Sequence, residues 1–160
     1  MAVTSAGGYT LETNSSGEPS QIGLLGLSES NYLSPGGTLS PITIENYLVL
    51  PVPRDGLISS VAAYYIVTEN RTLGEDAVVR AEVYTASPGS TTFTASGAAV
   101  SMSLPSSVTE NSIMSSAQTV DPPVAVSAAD MIAVIVSLSN SPTSGSASFV
   151  SCMNVSIAIT

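Results

Sequence analysis

The sequence contains no histidine, no lysine and no tryptophan, and its one cysteine is Cys152. Each absence removes a class of chemistry. Without histidine there is no Ser-His-Asp or Cys-His nucleophile, no imidazole-ligated zinc and no ordinary proton shuttle near neutral pH. Without lysine there is no Schiff base, no phosphate-loop lysine and no Ser-x-x-Lys nucleophile. A lone cysteine makes neither an internal disulfide nor a thiolate metal site, so Cys152 reads first as a small buried hydrophobe. Paired carboxylates remain available for glycoside hydrolysis, but such sites usually add aromatic sugar platforms, and tryptophan is missing. The composition therefore reads as that of a non-enzyme with no metal and no cofactor.

Charge is also scarce, at 9% of residues. Twelve acids face three arginines, Arg54, Arg71 and Arg80, for a net charge of −9. No basic stripe exists to neutralise phosphates, so neither nucleic acid nor an anionic membrane is an expected partner. Solubility must rest on hydroxyls, because Ser and Thr supply roughly a quarter of the chain. Apolar runs such as Met131 to Val136 fall far short of the roughly 20 residues that span a bilayer, so no membrane insertion is expected. Met1 to Gly8 has neither the basic nor the apolar part of a secretory signal.

What is present is β-type pattern. A chain of 160 residues fits one domain. Residues 1–21 are polar and read as an N-terminal arm or linker, with the domain over 22–160. Short apolar runs then recur between Gly, Pro, Asn and Ser clusters, and no 3.6-residue period persists. Candidate strands are Ile22 to Leu27, Ile42 to Leu50, Leu57 to Thr68, Ala77 to Thr85, Thr92 to Ala95, Ala98 to Leu104, Ile113 to Val120, Val124 to Ser127, Met131 to Ser139 and Ala147 to Ile159. In Ala77 to Thr85, Val79, Ala81 and Val83 face inward while Val78, Arg80, Glu82 and Tyr84 share the outer face. Turn chemistry marks Ser34-Pro35-Gly36-Gly37, Asn70 to Gly74, Ser87-Pro88-Gly89-Ser90, Asp121-Pro122-Pro123 and Asn140 to Gly145. About ten antiparallel strands without helix predict an all-β, two-sheet sandwich, most simply a jelly roll. An immunoglobulin-like sandwich is the second choice.

Leu57 to Thr68 is unusual in being apolar on both sides. Strict alternation puts Leu57, Val61, Ala63, Tyr65 and Val67 on one face and Ile58, Ala62, Tyr64 and Ile66 on the other. The second apolar face needs a partner, such as another subunit. Ile58, Tyr64 and Ile66 are therefore candidate subunit-contact residues. Arg54 joins them as a scarce cation able to pair with an acid of a neighbouring subunit, against its plainer role as a surface or turn arginine. Acids near turns, Glu75-Asp76 and Glu110 with Asp121, read as solvated side chains rather than calcium ligands. Three matches to the N-glycosylation pattern, at Asn14, Asn70 and Asn154, carry little weight in so Ser/Thr-rich a chain.

The most distinctive segment is Pro53-Arg54-Asp55-Gly56, a turn motif preceded by Val52 and followed by Ile58-Ser59-Ser60 and Tyr64-Tyr65. It resembles the C-terminal domain of bacterial spore-surface collagen-like glycoproteins, the exosporium BclA and BclB type. Ala81-Glu82-Val83-Tyr84, Phe93, Val124 to Val136 and Gly36-Gly37-Thr38-Leu39 extend the likeness over roughly residues 22 to 160. No Gly-X-Y stalk is present. The resemblance implies a jelly roll similar to C1q and tumour necrosis factor domains, assembled as a homotrimer. It further implies an extracellular place on the spore surface, as the head or building block of an exosporium filament or fibre whose neighbouring subunits are partners. The alternative is a carbohydrate- or receptor-binding adhesin-type module of the same fold.

Overall fold

The computed structural model describes residues 2–4, 9–25, 30–33, 41–44, 49–73, 76–141 and 145–160. Among the described residues fourteen strand segments follow one another: β1 Ala2–Thr4, β2 Tyr9–Thr13, β3 Pro19–Leu25, β4 Ser30–Leu33, β5 Ile42–Thr43, β6 Leu50–Pro51, β7 Gly56–Val67, β8 Arg71–Thr72, β9 Val78–Ala86, β10 Thr92–Ser103, β11 Ser107–Val108, β12 Ile113–Val126, β13 Met131–Ser139 and β14 Ser148–Ile159. No helix occurs among the described residues.

Eight of these segments build the sandwich: β2, β3, β7, β9, β10, β12, β13 and β14. The first sheet runs β2-β14-β7-β12 and the second β3-β13-β9-β10, all pairs antiparallel. Counted along the chain, the first sheet holds the first, eighth, third and sixth of the eight, and the second holds the second, seventh, fourth and fifth. That interleaving is the double Greek key of a jelly roll. The sheets join at one edge, where β2 pairs with β3. The opposite side ends in β12 and in β10, which carries the two-residue β5 at Thr92 and Phe93 and is an edge beyond them.

Alternation explains the core. Val79, Ala81 and Val83 of β9 face Val134, Val136 and Leu138 of β13, and all six are fully buried. From the first sheet come Val61, Ala63, Tyr65 and Val67 of β7 with Phe149, Met153, Val155 and Ile157 of β14. The Tyr65 and Phe149 rings meet at 6.4 Å and 57°, a tilted contact of the kind aromatic pairs favour. Burial without charge partners pushes the Tyr65 hydroxyl well above the usual tyrosine range.

Several sequence expectations change here. Residues 9–21, read as part of an arm, enter the sandwich: Tyr9 and Leu11 are buried, and β2 pairs with β14 from Glu12↔Ser148 to Tyr9↔Ser151. The apolar pair is spaced for a strand but sits among polar neighbours that mask it. The single strand expected over Ile42 to Leu50 is instead β5, which pairs with β10, and β6, which pairs with β13. Residues 45–48 of that stretch, like Gly36-Gly37-Thr38-Leu39 and the turn at Ser34 to Gly37, lie outside the described residues. The two strands expected on either side of Ser96-Gly97 form one strand, β10, with a bulge between Ala95 and Ala99 where Gly97 takes φ +84. Likewise Asp121-Pro122-Pro123, read as a connector, lies inside β12. Proline is tolerated there because β12 is an edge strand, and the Asp121-Pro122 peptide is cis.

Tyr84 was expected on a wet outer face and is instead 1% exposed. A second apolar cluster covers that side of the second sheet: Ile22, Leu24, Tyr84, Phe93, Ala133 and Ile135, packed with Ile44 and, part-buried, Ile42 and Val49. The segment carrying the last three is fastened by Ile44 N–H donating to the Thr91 carbonyl (2.9 Å) and by β6 against Ile132. Burial, reinforced by Glu82 and partly offset by Arg80, pushes the Tyr84 hydroxyl up to about 12.

A candidate interaction face on the first sheet

The outer face of the first sheet has no such cover among the described residues. Directly opposed residues of antiparallel strands share a face, so the register reads off its surface in rows across β12, β7 and β14. The rows are Ile113, Ile66 and Cys152; Ser115, Tyr64 and Asn154; Ala117, Ala62 and Ser156; Thr119, Ser60 and Ala158. These twelve positions carry no charge in a chain of net charge −9. Charge returns only at the border, with Glu12 on β2, Glu69 and Arg71 beyond the end of β7, and Asp121 in β12. An uncharged centre with a charged rim is the anatomy of a protein contact surface.

Three large hydrophobic side chains are exposed among the described residues: Leu57 at 44%, Tyr64 at 37% and Ile113 at 62%. All three lie on this face. Leu57 reaches it because β7 has an extra residue: Ser60 pairs with Ala158 and Ile58 with Ile159, leaving Ser59 bulged between them. The bulge reverses the alternation. Ile58 turns inward and is fully buried, so its expected role as a subunit contact is corrected, and Leu57 takes the outward position. Tyr64 and Ile66 do face outward, Tyr64 exposed and Ile66 half-buried. Tyr64 stands beside a shallow hollow of about 400 Å³ whose walls are Ala62, Ala117, Ser115, Asn154 and Ser156. Cys152, expected in the core, is half-buried on this face.

The Pro53-Arg54-Asp55-Gly56 motif has a structural task. Asp55 Oδ1 accepts a hydrogen bond from the Ala128 N–H (2.7 Å), and Val52 exchanges backbone bonds with Ala129 and Asp130 (2.9 and 2.7 Å). Together they pin the β12–β13 turn, itself closed by Asp130 Oδ2 accepting from Ser127 N–H (2.8 Å). Gly56 has no room for a side chain, since a Cβ would stand 2.6 Å from Ile159 Cγ2 and 2.9 Å from the Thr160 carbonyl. Pro53 and Arg54 are exposed. The ion pairs among the described residues join Arg71 to Glu69 and Arg80 to Glu82, and Arg54 takes part in neither.

Among the described residues no three acid or cysteine side chains lie close enough to hold a metal ion. Glu75, one of the residues considered for calcium, lies outside the described residues. No helix of the described residues is long and apolar enough to cross a membrane.

No protein-family model matches the chain, and neither does any curated protein. Similar solved structures include the Eiger TNF of S. frugiperda, at 12% identity and a TM-score of 0.40 over 92% of this chain and 90% of that one. Murine APRIL matches at 15% identity and a TM-score of 0.37 over 90% of this chain and 98% of that one. A structure of infectious bursal disease virus, Gt strain, matches at 14% identity and a TM-score of 0.38, over 97% of this chain but 32% of the viral one. Likeness at this distance says nothing of function, and the jelly roll rests on the strand order itself.

Proposed function

We propose that this chain is a non-catalytic structural module that assembles as a homotrimer through the outer face of its first sheet. The observation that carries the reading is the uncharged field of twelve positions in so acidic a molecule. Copies with a net charge of −9 repel one another wherever acids meet, and this field is where they approach with least repulsion. Burying Leu57, Tyr64 and Ile113 against other copies removes from water the large apolar side chains that the monomer leaves bare. Three-fold closure is the form implied by the likeness of Val52 to Gly56 and Tyr64-Tyr65 to spore-surface collagen-like glycoproteins. On the same ground the module belongs at the head, or in the body, of an exosporium filament on the bacterial spore. Arg54 is exposed and in neither ion pair of the described residues, which supports assigning it to an acid of a neighbouring subunit.

Sedimentation equilibrium at micromolar concentration tests the assembly. The reading expects a mass about three times the 16.1 kDa of the chain. A species that stays at the single-chain mass across the concentration range contradicts it. Immunogold labelling of intact spores of the source bacterium tests the location, with label expected on the outer surface.

A further inference from the structure

We infer that the notch between the edge strands β10 and β12 binds a neutral saccharide. Both sheets end on this side, and both edge strands lose register there, between Ala95 and Ala99 in β10 and between Thr119 and Val124 in β12. The two irregularities open a cavity of about 470 Å³ lined by Gln118, Thr119, Asp121, Pro122 and Pro123 with the β10 bulge opposite. That volume lies within the range of small-molecule sites. The wall is preformed: Ser96 Oγ donates to the Val83 carbonyl (2.7 Å) and accepts from Ala98 N–H (3.1 Å), which fixes the β10 bulge. Gly97 leaves the rim open, with nothing within 4 Å of where a Cβ would stand.

Three features set the ligand class. Pro122 and Pro123 lack backbone N–H groups, so this part of the edge does not accept an added strand, and the occupant is a small molecule rather than an extended peptide. Gln118 and Asp121 offer an amide and a carboxylate, a mixture of donors and acceptors suited to vicinal hydroxyls. Asp121 is the one charged side chain in the wall, so it disfavours an anion, and a single carboxylate is a poor calcium site. The proline rings and Val124 supply the apolar surface against which the C–H face of a sugar ring rests. The notch adjoins the proposed contact face at Thr119 and Asp121, so Gln118→Ala, which lies off that face, reads sugar binding and Ala62→Asp reads assembly.

Saturation-transfer NMR on the intact chain, with glucose, galactose, mannose and N-acetylglucosamine as probes and glucuronate and calcium chloride as contrasts, tests it. At least one neutral sugar is expected to give saturable transfer. Gln118→Ala and Asp121→Ala are each expected to weaken it at least tenfold with the thermal melt unchanged, while Glu110→Ala leaves it intact. If Asp121→Ala perturbs folding, Gln118→Ala decides, since its side chain is exposed. No saturable transfer from any neutral sugar, transfer indifferent to the Gln118 change, or a preference for glucuronate or calcium overturns the inference.

Discussion

The two sheets treat their outer faces in opposite ways. On the second sheet Tyr84 and Phe93 are sealed under Ile42, Ile44 and Val49, residues from far earlier in the chain. On the first sheet Tyr64, Ile113 and Leu57 stand exposed among Ala, Ser, Thr and Asn, and charge appears only at the border. Apolar content alone therefore does not say whether a face is finished within the monomer. The difference lies in whether the described residues supply a cover, and the uncharged face without one is the face we propose for contact with other copies.

The largest effect that separates the faces is a charge at the centre of the bare one. Ala62→Asp places a carboxylate beside Tyr64 in every copy, and an unpaired buried charge costs about 3–5 kcal/mol at each site. The variant is expected to sediment as a monomer with an unchanged circular dichroism spectrum, whereas an intact trimer contradicts the assignment. On the covered face the sign of the response reverses. Phe93→Ala, at a side chain with no exposure, is expected to lower folding stability by about 3–5 kcal/mol in chemical denaturation, out of a typical total of about 5–15. Assembly of the fraction that remains folded is expected to be unaltered.

A smaller effect appears only in alkali. Tyr84 sits under the cover with its hydroxyl pushed up to about 12 from the ordinary 10. A folded-state value above the unfolded one means that the stabilising contribution is complete below pH 10 and is lost as pH rises toward 12. Absorbance titration of tyrosinate is expected to show Tyr84→Phe removing a late-ionising group, one that appears together with alkaline unfolding in the unsubstituted protein. A Tyr84 that ionises freely at its ordinary value while the chain stays folded contradicts the cover.

Much of this architecture is legible in the residues, and the exceptions have physical causes. Val79, Ala81 and Val83 alternate so regularly that their inward face follows from order alone, and Met131 to Ser139 is bounded as the apolar run suggests. Asp55-Gly56 reads as a turn, although its bond to Ala128, 73 residues away, does not. The bulge at Ser59 is hidden because one small polar residue beside another leaves no mark in composition, yet it exchanges Leu57 for Ile58 at the bare face. Tyr84 looked wet because its cover lies far off in sequence. Tyr9 and Leu11 were missed because two buried residues within a polar stretch are too few to set a period. The bare face itself was partly visible, through Tyr64 and Ile66, while Ile113, Asn154 and Cys152 joined it only once the strand register was known.

Cys152 offers the most direct test of where copies meet, because the one thiol of the chain sits in the row of Ile66 and Ile113. Its rate of modification by a maleimide, measured at micromolar concentration in the unsubstituted protein and in Ala62→Asp, reports whether that row is covered. Slow labelling in the first and fast labelling in the second is the expected result. Equal and rapid labelling of both would show that the face remains open to solvent and that the copies, if they assemble, do so elsewhere.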